Sequence, residues 1–402
     1  MIIKLLNNIF KEKGFVLVDN YGKEHLIGKI SAKENNLKIK LLKKKLHLQF
    51  AIWPEWYFPI AYENGDIEII NGNISDVMDL FYQNTHGKPV GGFLKYINLL
   101  NSVWSNVSKI ATISRTRKQI QNHYDVYSNE QGDELYKNFL CKNMVYSCAY
   151  FLPGDDLERA QERKVDMIIK KLRPKANEVG ISVGSGWGFE AIQFAKKTKA
   201  KIIGITLSKN QLKESRRRAE QENLSNQVTF ELMDWRNLDI KADFLFSVGA
   251  LEHFQIRNYT KFFQKVSTIL KPRGRALIHT ICTQLPKSKK NKSKYINAKI
   301  FPGGEIPSIS DLAAPIENSE LCILDMHYWH LMYTKTLSEW LQRLRKNKDK
   351  IIKLFGEKLY RRYELYLSGA RASFDVYSDQ HVVQILLGKE KDAVPPREYQ
   401  YQ

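Results

Sequence analysis

Residues 179–188 read Val179-Gly-Ile-Ser-Val-Gly-Ser-Gly-Trp-Gly188, a short apolar strand running straight into three glycines spaced two apart. Glycine turns where other residues are strained, and its missing Cβ lets a ligand come close to the backbone. A helix starting after such a turn points free N–H groups at whatever sits there. The stretch therefore reads as the first strand, turn and helix of a nucleotide-type α/β fold. The glycine spacing is GxGxG rather than the GxGxxG of many dinucleotide sites.

The pattern continues outward from this turn. A helix is expected from about Phe189 to Lys197, then a strand over 201–207, a charged helix over 209–222 and strands over 228–234 and 243–249. A helix over 258–270, a Lys271-Pro-Arg-Gly274 turn and a strand over 275–281 follow. Alternating strands and helices argue for a mostly parallel sheet. In such sheets ligands bind beyond the carboxyl ends of the strands, where the Gly249-Ala-Leu-Glu-His253 cluster also falls.

Toward the N-terminus the texture changes. Residues 1 to 108 read as short strands (15–19, 37–42, 67–70) separated by turns at Trp53-Pro-Glu-Trp56 and Glu63-Asn-Gly-Asp66. Helices are expected over 75–84 and 93–109, and Ile2, Ile3, Leu5, Leu6, Ile9 and Phe10 suit one helical face. A basic polar linker fills 109–122, so the expected domains are 1–108 and 123–402.

Composition bounds the function. The chain has 402 residues, enough for two domains, and a net charge of +20. That charge draws polyanions, whether nucleic acid or an anionic bilayer. The densest basic runs are Lys43-Lys44-Lys45, Arg216-Arg217-Arg218 and Lys287 to Lys294, and no nucleic-acid-binding signature accompanies them. The cysteines Cys141, Cys148, Cys282 and Cys322 form no CxxC pair, so neither a metal site nor a disulfide framework is expected, and a cytoplasmic setting fits.

Several motifs recur in one order: His123-Tyr-Asp125, Met144-Val-Tyr-Ser-Cys-Ala-Tyr-Phe151, Val183 to Gly188, Gly204-Ile-Thr-Leu-Ser208 with Gln211, Val248 to Phe254, His279-Thr-Ile281, Ile300-Phe-Pro-Gly-Gly304 and Tyr333-Thr-Lys-Thr-Leu337. In this series the chain resembles the cyclopropane fatty acid synthase and mycolic acid methyltransferase family. The resemblance implies a Rossmann-like class I methyltransferase core with helical substrate-covering additions, plus a smaller N-terminal α+β domain. The N-terminal part looks like the extra domain of the phospholipid-acting members.

The resemblance also implies roles. Tyr124, Tyr146, Ser147, Gly184, Gly186, Thr206, Leu207, Gln211, Asp234 and Trp235 resemble the shell around S-adenosyl-L-methionine. Neutral Thr206 and Gln211 stand where many dinucleotide-binding proteins place an acid, which disfavours a nicotinamide cofactor. Glu252, His279, Tyr333 and the Cys148 segment resemble the residues that hold a bicarbonate ion as general base. The implied reaction transfers a methylene group to the cis double bond of a phospholipid acyl chain. The implied setting is peripheral, at an anionic inner membrane surface without nucleic acid, and a homodimer is suggested. The alternatives are a methyl-branched fatty-acyl product, an N-methylated small molecule, and a non-catalytic nucleic-acid-binding protein of the same fold. Two departures bear on these. Ser182 stands where methyltransferases often carry an acid, and Ala370 where the family often carries a second cysteine.

Overall fold

The computed structural model describes residues 2–30, 36–86, 133–284, 293–375 and 379–390. The chain forms two compact units. The first comprises 1–110, 285–301 and 337–379, and the second 111–284, 302–336 and 380–402. The expected division placed all of 123–402 in one domain; the first unit instead takes in two later segments.

In the first unit, helix α1 (Ile2–Ile9) precedes strands β1 (Phe15–Val18), β2 (Glu24–Ile27) and β3 (Lys38–Leu41). Helices α2 (Lys45–Ile52) and α3 (Pro54–Glu63), strand β4 (Ile67–Ile70) and helix α4 (Ile74–Thr85) follow. The sheet order is β2-β1-β3-β4, with β1 and β3 parallel. The Trp53–Trp56 stretch is not a turn: Pro54 opens α3, where its fixed φ suits a helix and its missing N–H is not needed. The capping box of Asn73 and Asp76 starts α4. The 93–109 helix and the 109–122 linker lie outside the described residues.

The second unit begins, as described, with the short helix α5 (Glu134–Lys137) and helix α6 (Leu157–Leu172). Strand β5 (Val179–Val183), helix α7 (Phe189–Thr198), strand β6 (Lys201–Thr206), helix α8 (Lys209–Gln221), strands β7 (Val228–Leu232) and β8 (Ala242–Val248), helix α9 (Tyr259–Ile269) and strand β9 (Leu270–Thr283) continue it. Helix α10 (Lys294–Lys299) belongs to the first unit. Helix α11 (Ile309–Glu317) and strand β10 (Cys322–Trp329) return to the second. Helix α12 (Met332–Lys346) starts in the second unit and continues in the first, which also holds α13 (Lys348–Phe355) and α14 (Glu357–Ser373). Strand β11 (Gln380–Gly388) completes the large sheet.

That sheet runs β10-β11-β9-β8-β5-β6-β7. Its β9-β8-β5-β6-β7 part is parallel, and β11 is antiparallel to both β9 and β10. The expected turn at 271–274 is absorbed as an irregularity within β9, where the register against β8 jumps between Ala242 and Phe244. Ile181, Val183, Leu245, Phe263, Ile278 and Ile385 bury the centre of the unit. The Phe194 and Phe246 rings stack 4.3 Å apart.

In the first unit the core is Phe15, Leu17, Ile39, Leu41, Phe50 and Ile67, closed by Tyr295 and Leu365 from the two later segments. A buried carboxylate ties those segments in. Glu63, 2 % exposed, accepts from Arg362 Nε at 2.8 Å and from the Tyr295 hydroxyl. A buried carboxylate is held by such charged and neutral donors together.

Candidate functional site

The parallel strands end on one edge of the large sheet, and a crevice of about 890 Å³, counted to its open mouth, lies there. Gly184, Gly186 and Gly188 have φ of 75°, 54° and 89°. The left-handed backbone explains why glycine stands at each. Gly184 and Ser185 spend their N–H groups on Ile205 O at 3.0 and 2.9 Å, which pins the turn to β6.

Tyr146, Ser147, Gly184, Gly186, Thr206, Leu207, Gln211, Asp234 and Trp235 all line this crevice. Tyr124 lies outside the described residues. Thr206 Oγ1 donates to Gln211 Oε1 at 2.8 Å, and Ser208 caps α8 by accepting from Gln211 N. Asp234 is more committed than its sequence position suggests. Its carboxylate is gripped by Arg236 Nε at 2.7 Å and Nη2 at 3.0 Å, and it accepts from Arg236 N. Trp235 packs against Phe254 and Phe262 and so serves the core as well as the crevice wall.

Behind the crevice wall stand groups that the sequence motifs did not single out. Helix α6 sends Gln161 and Lys164 inward, both fully buried. Gln161 Nε2 donates to Ser147 O at 2.9 Å, and Lys164 Nζ to Ser147 Oγ at 2.7 Å and Glu190 Oε1 at 2.9 Å. The Ser147 strap, which has no regular structure of its own, is thus held at two atoms. Ser182 is buried in the crevice wall without charge, and Glu190 in the first turn of α7 supplies a crevice carboxylate instead. The available signal was a polar residue on the inward 157–160–164–168–171 stripe of a charged helix.

This pair yields a stability prediction. Lys164→Met leaves the Glu190 carboxylate, 13 % exposed, without its cation. The expected loss is about 3 kcal/mol. Adding Glu190→Gln should restore part of it, read as urea midpoints of the two variants. A loss below about 1 kcal/mol for the single variant would remove the pair from the account.

The four residues expected to act together lie around β9 and the Ser147–Phe151 strap. Glu252 sits in the one-turn helix Leu251–His253 after β8. Its Oε1 accepts from Ile281 N at 2.8 Å and Thr280 Oγ1 at 3.0 Å, while its Oε2 is buried with no hydrogen-bond partner among the described residues. Burial pushes its pKa up, partly offset by those donors. His279 precedes Thr280 on β9, so alternation sends its ring to the other face. There it meets Gln384 Nε2 at 3.2 Å and the Trp329 ring, nearly perpendicular to it, at 4.7 Å between centroids. No direct hydrogen bond joins His279 to Glu252. Burial, helped by Lys164 and Lys171, pushes its pKa well below the usual histidine range, so it is neutral.

Cys148 and Tyr333 meet through their neighbours. Ala149 N donates to Thr336 Oγ1 at 3.0 Å and Phe151 N to Met332 Sδ at 3.4 Å, which fastens the strap to the first turn of α12, where Tyr333 lies half-buried. Trp329 joins the two halves: its ring packs on Tyr150 at 4.9 Å and on His279 at 4.7 Å. Burial raises the Cys148 thiol well above its ordinary pKa, so it is no thiolate nucleophile. His253 also borders the crevice, and burial pushes it down to about 4. Ala370 lies in α14 of the first unit, its carbonyl accepting from Ser373 Oγ at 2.7 Å.

Comparison with known proteins agrees with this architecture. A probable fatty acid methyltransferase of Pseudomonas putida is 35 % identical over 262 residues, 64 % of this chain and 65 % of that protein. The cyclopropane-fatty-acyl-phospholipid synthase of Escherichia coli is 34 % identical over 63 % of each chain. The matches therefore span just under two thirds of these two relatives. The solved mycolic acid cyclopropane synthase CmaA1, in complex with SAH and CTAB, superposes with a TM-score of 0.63 at 30 % identity, covering 68 % of this chain and 98 % of that one. The family model described as mycolic acid cyclopropane synthetase matches residues 112–385. A mostly parallel seven-stranded sheet with a glycine turn at its crevice, and a match over most of the length, place this chain in the mycolic acid cyclopropane synthetase family of S-adenosylmethionine-dependent methyltransferases.

Proposed function

We propose that the protein transfers a methylene group from S-adenosylmethionine to the cis double bond of an unsaturated phospholipid acyl chain, forming a cyclopropane ring. The observation that carries this reading is Glu252 Oε2, a buried carboxylate oxygen just past β8 that has no hydrogen-bond partner among the described residues. A polar atom in that condition is costly unless something completes it.

S-adenosylmethionine bound in the crevice supplies an electrophilic methyl group. The glycine turn, Thr206, Gln211 and Asp234 would hold it, and the Ser147 strap would close its side. Glu252, His279, Tyr333 and the Cys148 segment would hold bicarbonate, whose chemistry is that of a weak general base for one proton. The residues fit such an oxyacid: Glu252 has an unused oxygen, His279 is neutral, and Cys148 keeps its proton. Trp329, packed on His279, and Tyr150, packed on Trp329, add aromatic rings suited to positive charge on a reacting carbon. Exclusion of water by Trp329 and Phe151, both buried, protects that charge.

A bilayer substrate is supported by the surface of the first unit. Arg216, Arg217 and Arg218 are occupied by Phe230 O and Glu214, so that run is no free polyanion site. Lys287 to Lys292 lie outside the described residues. Lys44 and Lys45 are exposed, and so are Leu48 at 58 % and Ile52 at 45 % on the same helix α2. Exposed lysines beside exposed apolar side chains suit an anionic lipid surface at about 1 kcal/mol per lysine. Among the described residues no helix is long and apolar enough to cross a membrane.

The test is incubation with S-adenosylmethionine and liposomes of cis-unsaturated anionic phospholipid, followed by mass analysis of the acyl chains. One added methylene per reacted chain is expected. Liposome cosedimentation should weaken as salt rises, because charge at this distance is screened within about 8 Å at physiological ionic strength. An unchanged acyl mass would sink the reading. Binding that ignores ionic strength would remove the basic surface from it.

A further inference from the structure

We infer that Lys171 and Gln384 fix the tautomer of His279, leaving its Nδ1 as an acceptor and its Nε2 as the protonated donor. Lys171 is on α6 and only 1 % exposed. Its Nζ lies 2.8 Å from Gln384 Oε1 and 3.1 Å from His327 Nδ1. A lysine Nζ carries hydrogens to donate, and the end of the Gln384 amide that faces it at 2.8 Å is the carbonyl oxygen. The other end is then the NH2 group, 3.2 Å from His279 Nδ1. A donor facing that nitrogen requires a lone pair there, and the proton of a neutral ring goes to Nε2.

The backbone holds this line of groups in place. Gln384 on β11 stands directly across the antiparallel ladder from His279 on β9. His327 on β10 stands across from Gln384 on the other side. The same lysine makes His327 Nδ1 an acceptor, and Trp329 Nε1 donates to that atom at 3.3 Å. The Trp329 and His279 rings also pack nearly at right angles. Burial keeps the ring neutral.

The consequence rests on the reading proposed above. His279 would offer an Nε2–H to an anionic base and would not itself take the proton. Lys171 and Gln384 are positioning residues, since neither touches the reacting atoms. The tautomer rests on the hydrogen-bond line and on the burial of the ring, and can be read without turnover.

The experiment is nitrogen NMR of the full chain labelled with 15N-histidine, with the His279 signals identified by their loss in His279→Gln. At neutral pH the native protein should show an unprotonated Nδ1 and a protonated Nε2. Gln384→Glu, whose carboxylate can only accept, should invert the pair, and turnover should fall at least about tenfold. Lys171→Met should release the amide and give both tautomers. A native Nδ1–H form, or an imidazolium at neutral pH, overturns the inference even where no variant folds. Inversion in Gln384→Glu with unchanged turnover upholds the relay and overturns the part given to His279 in the reaction.

Discussion

Glu252→Gln should lower turnover by at least about 100-fold while leaving S-adenosylmethionine affinity within about threefold. The side chain has two unlike oxygens. Oε1 is satisfied by Ile281 N and Thr280 Oγ1, and glutamine keeps an acceptor there. Oε2 is buried and without a partner among the described residues, and glutamine replaces it with an NH2 group that can only donate. The fold contacts survive and the stability cost should stay near 1 kcal/mol. What changes is the group presented to an oxyacid. The cofactor crevice includes His253 and Ala250 but not Glu252, so binding and turnover should separate. Turnover within threefold of the native protein would take Glu252 out of the chemistry.

The second large effect concerns the glycine turn, where two neighbouring glycines should fail differently. At Gly184 an added Cβ would lie 2.4 Å from the Ala250 Cβ, with φ at 75°. Backbone strain of roughly 1–2 kcal/mol and forced repacking of a similar size add to about 3 kcal/mol of lost stability for Gly184→Ala. At Gly186, with φ at 54°, an added Cβ meets nothing within 4 Å. Gly186→Ala should cost only the backbone strain. Its methyl, however, joins a residue that lines the crevice, and S-adenosylmethionine affinity should fall tenfold or more. Denaturant unfolding and titration calorimetry on the two variants separate the effects. Native affinity in Gly186→Ala would mean that the cofactor does not approach this turn.

Much of the second unit was legible because its signals are local. Strands β5 to β8 are short apolar runs set off by glycine or charge, and the Gly184–Gly188 turn names its own backbone conformation. The crevice residues were named through the family resemblance; Gly184, Thr206 and Asp234 stand at or just past strand ends, while Tyr146 and Ser147 lie on the irregular strap. Helix α6 was missed for a physical reason: Gln161, Lys164 and Lys171 break its apolar face, yet all three are buried because each has polar partners. Strands β10 and β11 are antiparallel additions at the edge, and no periodicity in 322–329 or 380–388 announces which strand they will join.

The composition of the first unit was illegible for another reason. Tyr295 and Leu365 complete a core begun by Phe15 and Ile39, but a helical pattern does not say which core its apolar face will enter. The buried ion pair of Glu63 and Arg362 joins residues 299 apart in the chain. Trp53-Pro54 looked like a turn because proline breaks helices from within; at a first helical position it does the opposite. Glu252 and His279 were named in sequence through the family resemblance, but the anchorage of Glu252 on Ile281 N and Thr280, and the Gln384 and Lys171 groups behind His279, belong to the tertiary structure.

The central claim is methyl transfer to an alkene carbon followed by loss of one hydrogen from the transferred group. It is tested most directly with S-adenosylmethionine whose methyl carries three deuteriums, incubated with the protein and liposomes of cis-unsaturated phospholipid. The account predicts acyl chains that gain one carbon and keep two of the three deuteriums in a ring. Chains that keep all three would contradict ring closure from that group, and chains of unchanged mass would contradict transfer altogether.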